Sequence, residues 1–131
     1  MPFKNMPPPF KQLTNRVGRK LLEKDIEDYA RDEFKKLGWI MEKFTSPQKR
    51  SVPDDIITAP DYPSALIFFI EFKQPKETAT PQQMKDHAKR RELGAIVFVV
   101  DCYGQLDATI EIAKWILANG LVPELPRWLM K

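Results

Sequence analysis

The sequence predicts an α/β fold in which a central mixed four-stranded sheet is flanked by helices. Three observations support this prediction. The elements follow the order helix, three strands, helix, strand, helix. The apolar run Leu66–Lys73 is typical of a strand in the middle of a sheet that is covered on both sides. The strand–helix–strand unit that begins with this run favours a right-handed crossover. A chain of 131 residues, 43% of them hydrophobic, suffices for one such domain.

The first and last helices are predicted from apolar periodicity and from the glycines that follow them. One spans about Leu21–Leu37 and the other about Asp107–Asn119. Apolar residues of the first helix recur at three- and four-residue spacing: Leu22, Ile26, Ala30, Phe34 and Leu37. Gly38 and Gly120 are each placed to end a helix in a left-handed C-cap.

The middle helix has a clear start signal. Thr80 is suited to the N-cap, Pro81 to the first helical position, and Gln83 to the reciprocal contact of a capping box. This helix is predicted to run to about Glu92, with Gly94 as its C-cap.

Strands are predicted at Trp39–Phe44, Asp55–Thr58, Leu66–Lys73 and Ala95–Asp101. A turn at residues 60–63 separates the second strand from the third. Three segments result: a basic, proline-rich N-terminal arm at 1–20, a globular domain at 21–120, and an apolar C-terminal tail at 121–131. The prolines, from Pro2 onward, predict that the first ten residues are extended and mobile.

Charge is unevenly distributed along the chain. The first 20 residues hold five bases and no acid, which leaves 16 bases against 18 acids in the remainder. A basic arm on a mildly acidic body suits a polyanionic partner, although a solvated leader is the simpler interpretation of charge alone. The arm's bases are Lys4, Lys11, Arg16, Arg19 and Lys20, and Lys49 and Arg50 add two more in the loop after the first strand.

Several classes of protein are disfavoured by composition. No apolar run approaches a membrane span, and the N-terminus lacks the apolar core of a secretory signal, so we expect a cytoplasmic protein. Cys102 is the only cysteine, which excludes an internal disulfide and indicates a reducing compartment. With His87 as the only histidine, a Cys/His zinc site is excluded as well. We expect His87 to be a surface residue of the middle helix.

Two carboxylates and a lysine are candidates for catalysis. Asp54 precedes the second strand, while Glu71 and Lys73 alternate near the end of the central strand and so share one face. Buried charges are costly unless they have partners, and a magnesium ion could be such a partner, held by two carboxylates and the backbone carbonyl of Phe72. Lys73 could then orient or deprotonate a water molecule. A simple salt bridge between Glu71 and Lys73 is the competing interpretation.

Three other polar residues have open roles. Glu23 and Glu27 flank the apolar stripe of the first helix, and either one could reach the metal or its water. Most such glutamates are merely solvated. Gln83 could serve only the capping box, or it could also lie near a phosphate. Lys43 is interpreted as an exposed strand lysine.

Between Glu23 and Cys102 the chain resembles the VRR-NUC branch of the PD-(D/E)XK nucleases, particularly its small standalone phage and bacterial members. The matching landmarks occur in order and at fitting intervals. They are Ile26-Glu27, Lys43-Phe44-Thr45-Ser46-Pro47, Val52-Pro53-Asp54, Phe69-Ile70-Glu71-Phe72-Lys73-Gln74-Pro75, Thr80-Pro81-Gln82-Gln83 and Val97-Phe98-Val99-Val100-Asp101.

The resemblance implies a restriction-endonuclease-like core and a nuclease that uses Mg²⁺ or Mn²⁺. Asp54 and Glu71 would be metal ligands, Lys73 the catalytic lysine, Glu27 the helix acid and Gln83 the helix glutamine. It also implies branched DNA such as four-way junctions as substrate, and a homodimer that cuts opposing strands.

Two departures from the family pattern leave alternatives open. Ser51 replaces the usual Gly, and Asp55 stands where Arg is frequent. Asp55 could weaken phosphate attraction or supply an additional acid. A DNA-binding module without catalysis, or a subunit that cuts only with a partner protein, therefore remain alternatives. Beyond about Ala108, outside the matched block, the apolar residues Trp115, Trp128, Leu129 and Met130 indicate packing on the domain or within a dimer.

Overall fold

A computed structural model describes residues 3–131 of the chain. Its helices and strands occur in the predicted order. They are α1 Glu23–Leu37, β1 Ile40–Lys43, β2 Asp55–Pro60, β3 Ala65–Phe72, α2 Pro81–Glu92, β4 Val97–Val100 and α3 Tyr103–Asn119, followed by a 3₁₀ turn at Arg127–Leu129.

The four strands form one mixed sheet in the order β1-β2-β3-β4. The β1–β2 and β2–β3 pairs are antiparallel, whereas β3 and β4 are parallel. Because parallel neighbours require a crossover, α2 connects β3 to β4 across one face of the sheet. The predicted mixed four-stranded sheet with flanking helices is confirmed.

The alternation of β3 separates the molecule into two faces. Leu66, Phe68, Ile70 and Phe72 enter the main core, which α1 and α3 cover. An aromatic cluster around Phe68 fills the centre of this core, with ring centroids 5.6–6.4 Å from those of Phe34, Trp39 and Phe98. The intervening residues of β3 point to the α2 side.

Complete coverage of β3 on both faces, as predicted from its apolar run, is wrong for the first half of the strand. Ile67 is 53% exposed, and burial of this second face begins near Phe69 and becomes full at Glu71. The difference arises because α2 lies over the last residues of the strand, where its His87 meets Glu71. A sequence pattern does not report how far a covering helix extends.

Helix boundaries agree with the predictions except at two places. Helix α3 begins at Tyr103, one turn earlier than predicted, because its first turn is held by long-range contacts rather than by apolar periodicity. The backbone N–H of Gly104 donates to Gln12 Oε1 at 3.1 Å, and a local bond from Asp101 N to Gln105 Oε1 at 2.9 Å adds to it. Helix α2 ends at Glu92 as predicted, but its C-cap is Leu93 rather than Gly94, which follows with φ +96°. Gly38 and Gly120 are left-handed C-caps as predicted.

Residues 3–20 lie against the domain instead of extending from it. Phe3 packs edge-on against Trp115 at 5.9 Å, and Met6 O accepts a hydrogen bond from Trp128 Nε1 at 2.8 Å. Pro9 lies so close to Gly104 that a Cβ there would meet it at 2.9 Å. Pro2 lies outside the described residues. These contacts contradict the expectation of a mobile leader, while the boundary at residue 20 stays a prediction.

The C-terminal tail also packs on its own domain. Leu129 is fully buried, and Ala79 N donates to the Lys131 carbonyl at 2.7 Å. Intramolecular packing thus accounts for part of the tail's apolar character. In the described part of the chain, none of the helices has the length and apolarity needed to cross a bilayer.

Substitution of Phe68 by Ala should lower the free energy of unfolding by about 3–5 kcal/mol, because it leaves a cavity at the centre of the aromatic cluster. The measurement is chemical denaturation followed by circular dichroism. Ile67→Ala on the same strand, but on the exposed face, is the matched control and should cost less than about 1.5 kcal/mol. Equal losses for the two variants would contradict this account of the core.

Candidate active site

Glu71 and Lys73 lie at the end of β3, on the face covered by α2. Lys73 Nζ is 3.8 Å from Glu71 Oε2, and the two side chains are 12% and 4% exposed. Their proximity follows from the two-residue period of a strand. The distance is long for a tight ion pair, so a simple salt bridge with Lys73 does not explain why Glu71 is buried.

Asp54 reaches the same strand end from the segment before β2. Its Oδ2 accepts a hydrogen bond from the backbone N–H of Phe72 at 2.8 Å. Phe44 N in turn donates to the Asp54 carbonyl at 2.8 Å, which ties this residue to the end of β1. The backbone therefore fixes Asp54 next to Glu71 in the folded protein.

Glu71 is a strongly perturbed carboxyl group. Burial, followed by the negative charge of nearby Asp54, raises its pKa to about 8, and Lys73 offsets only part of this shift. Its Oε1 is buried and has no hydrogen-bond partner among the described residues. Buried ionisable groups of this kind mark functional sites, since a folded protein rarely keeps them without a reason.

Gln83 forms the predicted capping box and also contacts Glu71, while its proximity to a phosphate stays a prediction. Its N–H donates to Thr80 Oγ1 at 3.2 Å and its Oε1 accepts from Thr80 N at 2.9 Å, which completes the capping box. Its Nε2 also donates to Glu71 Oε2 at 3.2 Å. The start of α2 is thereby linked directly to the central carboxylate.

His87 is not a surface residue, and that prediction is wrong. It is fully buried on the inner side of α2, with Nε2 3.9 Å from Glu71 Oε1. Burial and the positive charge of Arg91 lower the pKa of His87 to about 4, so its ring is neutral at pH 7. The contact with Glu71 is therefore not an ion pair at neutral pH.

The two glutamates of α1 occupy different environments. Burial and the charge of Asp54 raise the pKa of Glu23, and the positive charge of Lys73 acts on it in the opposite direction. Glu27 instead accepts a hydrogen bond from Lys43 Nζ at 2.7 Å. Glu23 therefore lies nearer Asp54 and Lys73, whereas Glu27 is bound to Lys43.

Asp55 and Glu27 form a second acidic pair on the opposite face of the sheet. Asp55 points into the α1 side with Ile57, is fully buried, and has no hydrogen-bond partner for either oxygen. Burial and the adjacent Glu27 raise its pKa to about 8, while Glu27 stays ionised against Lys43. Asp55 thus lies neither on the outer surface nor beside Glu71. Lys43 is exposed as predicted, but it is ion-paired.

The basic residues of the arm and loop differ in whether they already contact a partner within the protein. Lys4 pairs with Glu124 at 3.2 Å, and Lys11 with Asp101 at 2.7 Å. Arg16 lies over the ring of Tyr29 at 5.3 Å, and Lys49 pairs with Asp86 at 2.8 Å. Within residues 3–131, no acidic group lies within 4 Å of the three remaining bases, Arg19, Lys20 and Arg50.

The strand end has donors that fit a magnesium-type ion. In the described chain, no three His, Cys, Asp or Glu side chains converge on one point as a complete metal cage. Magnesium does not require such a cage, because it takes one or two carboxylates and keeps several waters. The unpartnered Glu71 Oε1 and the adjacent Asp54 carboxylate meet that requirement, and a cation would relieve their repulsion.

Sequence reasoning missed His87 and the anchoring residue Asp86. Both are buried on α2, at consecutive positions of a helix whose residues are mostly polar. The available signal was position: residues three and four after Gln83 lie on the same side of the helix as Gln83. That spacing alone does not identify which side of α2 meets the sheet.

Comparison with known proteins places this fold and strand end in a family. No family model matches the sequence. A protein named "Putative nuclease p44", from Acyrthosiphon pisum secondary endosymbiont phage 1, is 40% identical over 83 residues, which cover 63% of this chain and 86% of the relative. A solved structure described as a VRR_NUC domain superposes with a TM-score of 0.61 at 31% identity, covering 68% of this chain and 94% of the other.

The fold and the relatives together define a PD-(D/E)XK-like core. The chain belongs to the VRR-NUC family of nucleases, as its sequence resemblance indicated.

In metal-free protein, Glu71 should make the fold less stable as pH rises. Its folded-state pKa is about 8 against an ordinary value of 4.5, so its protonated form favours folding below pH 4.5, and that contribution is lost between pH 4.5 and 8. Thermal unfolding in chelator across this pH range is the measurement. Glu71→Gln should make the fall in stability with pH smaller without abolishing it, because buried Asp55, whose pKa is also raised to about 8, keeps its own contribution. Glu92→Gln at the exposed end of α2 should leave the profile unchanged. The same pH profile in Glu71→Gln as in wild type would contradict the raised pKa of Glu71.

Proposed function

We propose that this protein is a divalent-metal-dependent endonuclease that hydrolyses phosphodiester bonds in DNA. The observation that carries the proposal is the buried Glu71, unpartnered at Oε1, between the carboxylate of Asp54 and the ammonium group of Lys73. Membership in a nuclease family supports the same chemistry.

Asp54, Glu71 and the carbonyl of Phe72 are the proposed metal ligands, with Mg²⁺ or Mn²⁺ as the ion. When bound, such an ion lowers the pKa of a coordinated water and offsets negative charge on the phosphate. Other residues of the chain hold these ligands in position. The bond from Phe72 N fixes Asp54, while Gln83 holds Glu71 from the side.

Lys73 is the proposed catalytic lysine. Its side chain is 12% exposed, so its charge acts in a partly dehydrated setting where it stabilises developing negative charge more than it would in water. The lysine orients the attacking water at Nζ. The water oxygen bonds to phosphorus as the bond from phosphorus to the sugar oxygen breaks. The attacking water gives up one proton to solvent and the leaving sugar oxygen takes one from solvent, so the protons balance.

The roles of Glu27, Glu23 and Gln83 are argued from the charged groups around each side chain. Glu27 was assigned as the helix acid, but its partners are Lys43 and Asp55 on the other face of the sheet. Glu23 is better placed for that role, because the charges of Asp54 and Lys73 act on it. We therefore propose Glu23 as the α1 residue that orients water, with Gln83 as the residue that positions Glu71.

For the substrate we propose branched DNA such as a four-way junction, cut by a homodimer. Exposed apolar side chains near the end of α2 and in the tail support a second copy as partner, namely Leu93, Leu121 and Val122. The phage origin of the similar nuclease supports action in the cytoplasm of a bacterium or of a phage-infected host.

A DNA-binding module without catalysis is the second candidate, and Ser51 and Asp55 favour it. The buried position of Asp55 on the α1 side weakens this alternative, because there the acid does not oppose DNA phosphates directly. A nuclease subunit that requires another protein is the third candidate, supported by the same exposed apolar residues near the tail.

Glu71→Ala should abolish metal-dependent cleavage, because it removes the central carboxylate. Lys73→Ala should slow cleavage by about 10²–10³-fold while leaving DNA binding in place. The measurement is cutting of labelled four-way junction and matched linear duplex with Mg²⁺ or Mn²⁺. Lys35→Ala, an exposed lysine at the far end of α1, is the control and should cut normally. Clean, folded wild type that binds but cuts neither DNA would favour the binding module.

Light scattering of the purified protein should give twice the 15.3 kDa chain mass if the exposed apolar residues bury against a second copy. Leu93→Asp should then shift the mass toward one chain, because a buried unpaired carboxylate is unfavourable. Ile67→Asp, at a similarly exposed apolar position on the sheet, is the control and should leave the mass unchanged. A monomeric wild type at micromolar concentration would contradict the homodimer.

A further inference from the structure

A groove lies between the loop that follows β1 and the outer side of α2. It encloses about 500 Å³. Its lining comes from two segments only: Gln48, Lys49, Arg50 and Ser51 from the loop, and Gln82, Lys85, Asp86 and Lys89 from α2. Four of these eight side chains are basic and one is acidic, so the lining is strongly positive.

The single acid of the groove is already neutralised from within the chain. Asp86 is buried and accepts from Arg90 Nε at 2.7 Å, while Lys49 Nζ lies 2.8 Å from its other oxygen. Although burial opposes it, these two partners lower the pKa of Asp86. Lys49 therefore clamps the loop to α2, and its charge is committed to Asp86. The sequence groups Lys49 with the bases that suit a polyanionic partner, and in the fold it has this structural contact.

The other three bases of the groove are exposed, and they differ from Lys49 in their ion pairing. Within residues 3–131, Arg50, Lys85 and Lys89 have no carboxylate within 4 Å. Lys85 and Lys89 lie four residues apart, hence on one side of α2, where like charges repel. A multivalent anion along this side would relieve that repulsion.

The two walls of the groove are continuous along the chain with the segments that carry the candidate site residues. Gln82, which lines it, is adjacent to Gln83, whose Nε2 donates to Glu71 Oε2 at 3.2 Å. On the opposite wall, Ser51 is three residues before Asp54. Both walls of the groove thus lead to the residues that would meet the scissile phosphate.

We infer that Arg50, Lys85 and Lys89 bind the sugar-phosphate backbone of DNA beside the scissile bond, with Lys49 and Asp86 positioning the loop. This inference rests on the proposed nuclease function, since the occupant is chosen as DNA by continuity with that site. Contacts of this type fix the register of the duplex and do not read its sequence. The buried Asp86 makes the groove a built feature of the fold rather than a set of surface lysines.

The test is the salt dependence of DNA binding by the double variant Lys85→Gln/Lys89→Gln. Fluorescence anisotropy with a labelled linear duplex, in chelator so that nothing is cut, gives the affinity at several salt concentrations. Each lost phosphate contact lowers the slope of log K against log salt by about 0.9, so the double variant should lose about 1.8 and bind about tenfold or more weakly. Arg50→Gln should remove about 0.9 more.

The matched control is Lys35→Gln/Lys114→Gln, which removes the same two charges from exposed positions on the α1 and α3 side of the sheet. A slope and affinity that change equally in both double variants would overturn the groove, because net charge alone would explain them. An unchanged slope in Lys85→Gln/Lys89→Gln would also overturn it, as would wild type that does not bind DNA.

Cleavage with Mg²⁺ separates failure of the groove from failure of the enzyme. If wild type cuts DNA and the groove variant binds and cuts like wild type, the inference fails while the nuclease function stands. If wild type binds through Lys85 and Lys89 but never cuts, the groove stands and the nuclease function fails. Preferential binding of an acidic peptide such as polyglutamate over duplex DNA would assign the groove to a protein partner and overturn the inference.

Discussion

The burial of Glu71 beneath α2 is the constraint on which the site depends. An acid with 3% exposure requires polar groups around it, and the fold supplies them from three separate segments. Asp54 is held there because its carboxylate accepts a hydrogen bond from Phe72 N. Lys73 lies on the same face as Glu71 because of the two-residue strand period, and Gln83 reaches Glu71 from the first turn of α2. Glu71 Oε1 has no hydrogen-bond partner within residues 3–131, which supports the proposed cation at this position.

The two faces of the sheet have different roles. The α1–α3 face holds the aromatic core around Phe68, which fixes the strands and therefore the spacing of the site residues. The α2 face is polar at the end of β3, where the site lies. A second acid pair, Asp55 with Glu27, occupies the core face and is balanced by Lys43. Asp54, the residue before β2, and Asp55, its first residue, thus belong to different environments, as expected where side chains of adjacent extended residues alternate.

Much of the architecture was predictable because local rules determine it. The capping box of α2 needs only Thr80, Pro81 and Gln83, and the structure forms it as predicted. The left-handed caps at Gly38 and Gly120 follow from glycine's freedom at positive φ. Local rules failed where distant contacts decided the outcome. The first turn of α3 contacts Pro9 and Gln12 of the arm, and the arm also packs through Phe3 on Trp115 and Met6 on Trp128.

By itself, the sequence determined the order of the elements, the mixed sheet and the shared face of Glu71 and Lys73, since these follow from residue period and capping chemistry. It also carried the family resemblance, because the spacing of motifs is a property of the chain. Only the tertiary structure decided that His87 is buried beside Glu71 and that Lys49 is bound to Asp86. It also decided which α1 glutamate approaches Asp54. Those contacts join residues 16 to 37 positions apart, and their existence depends on how the helices pack across the sheet.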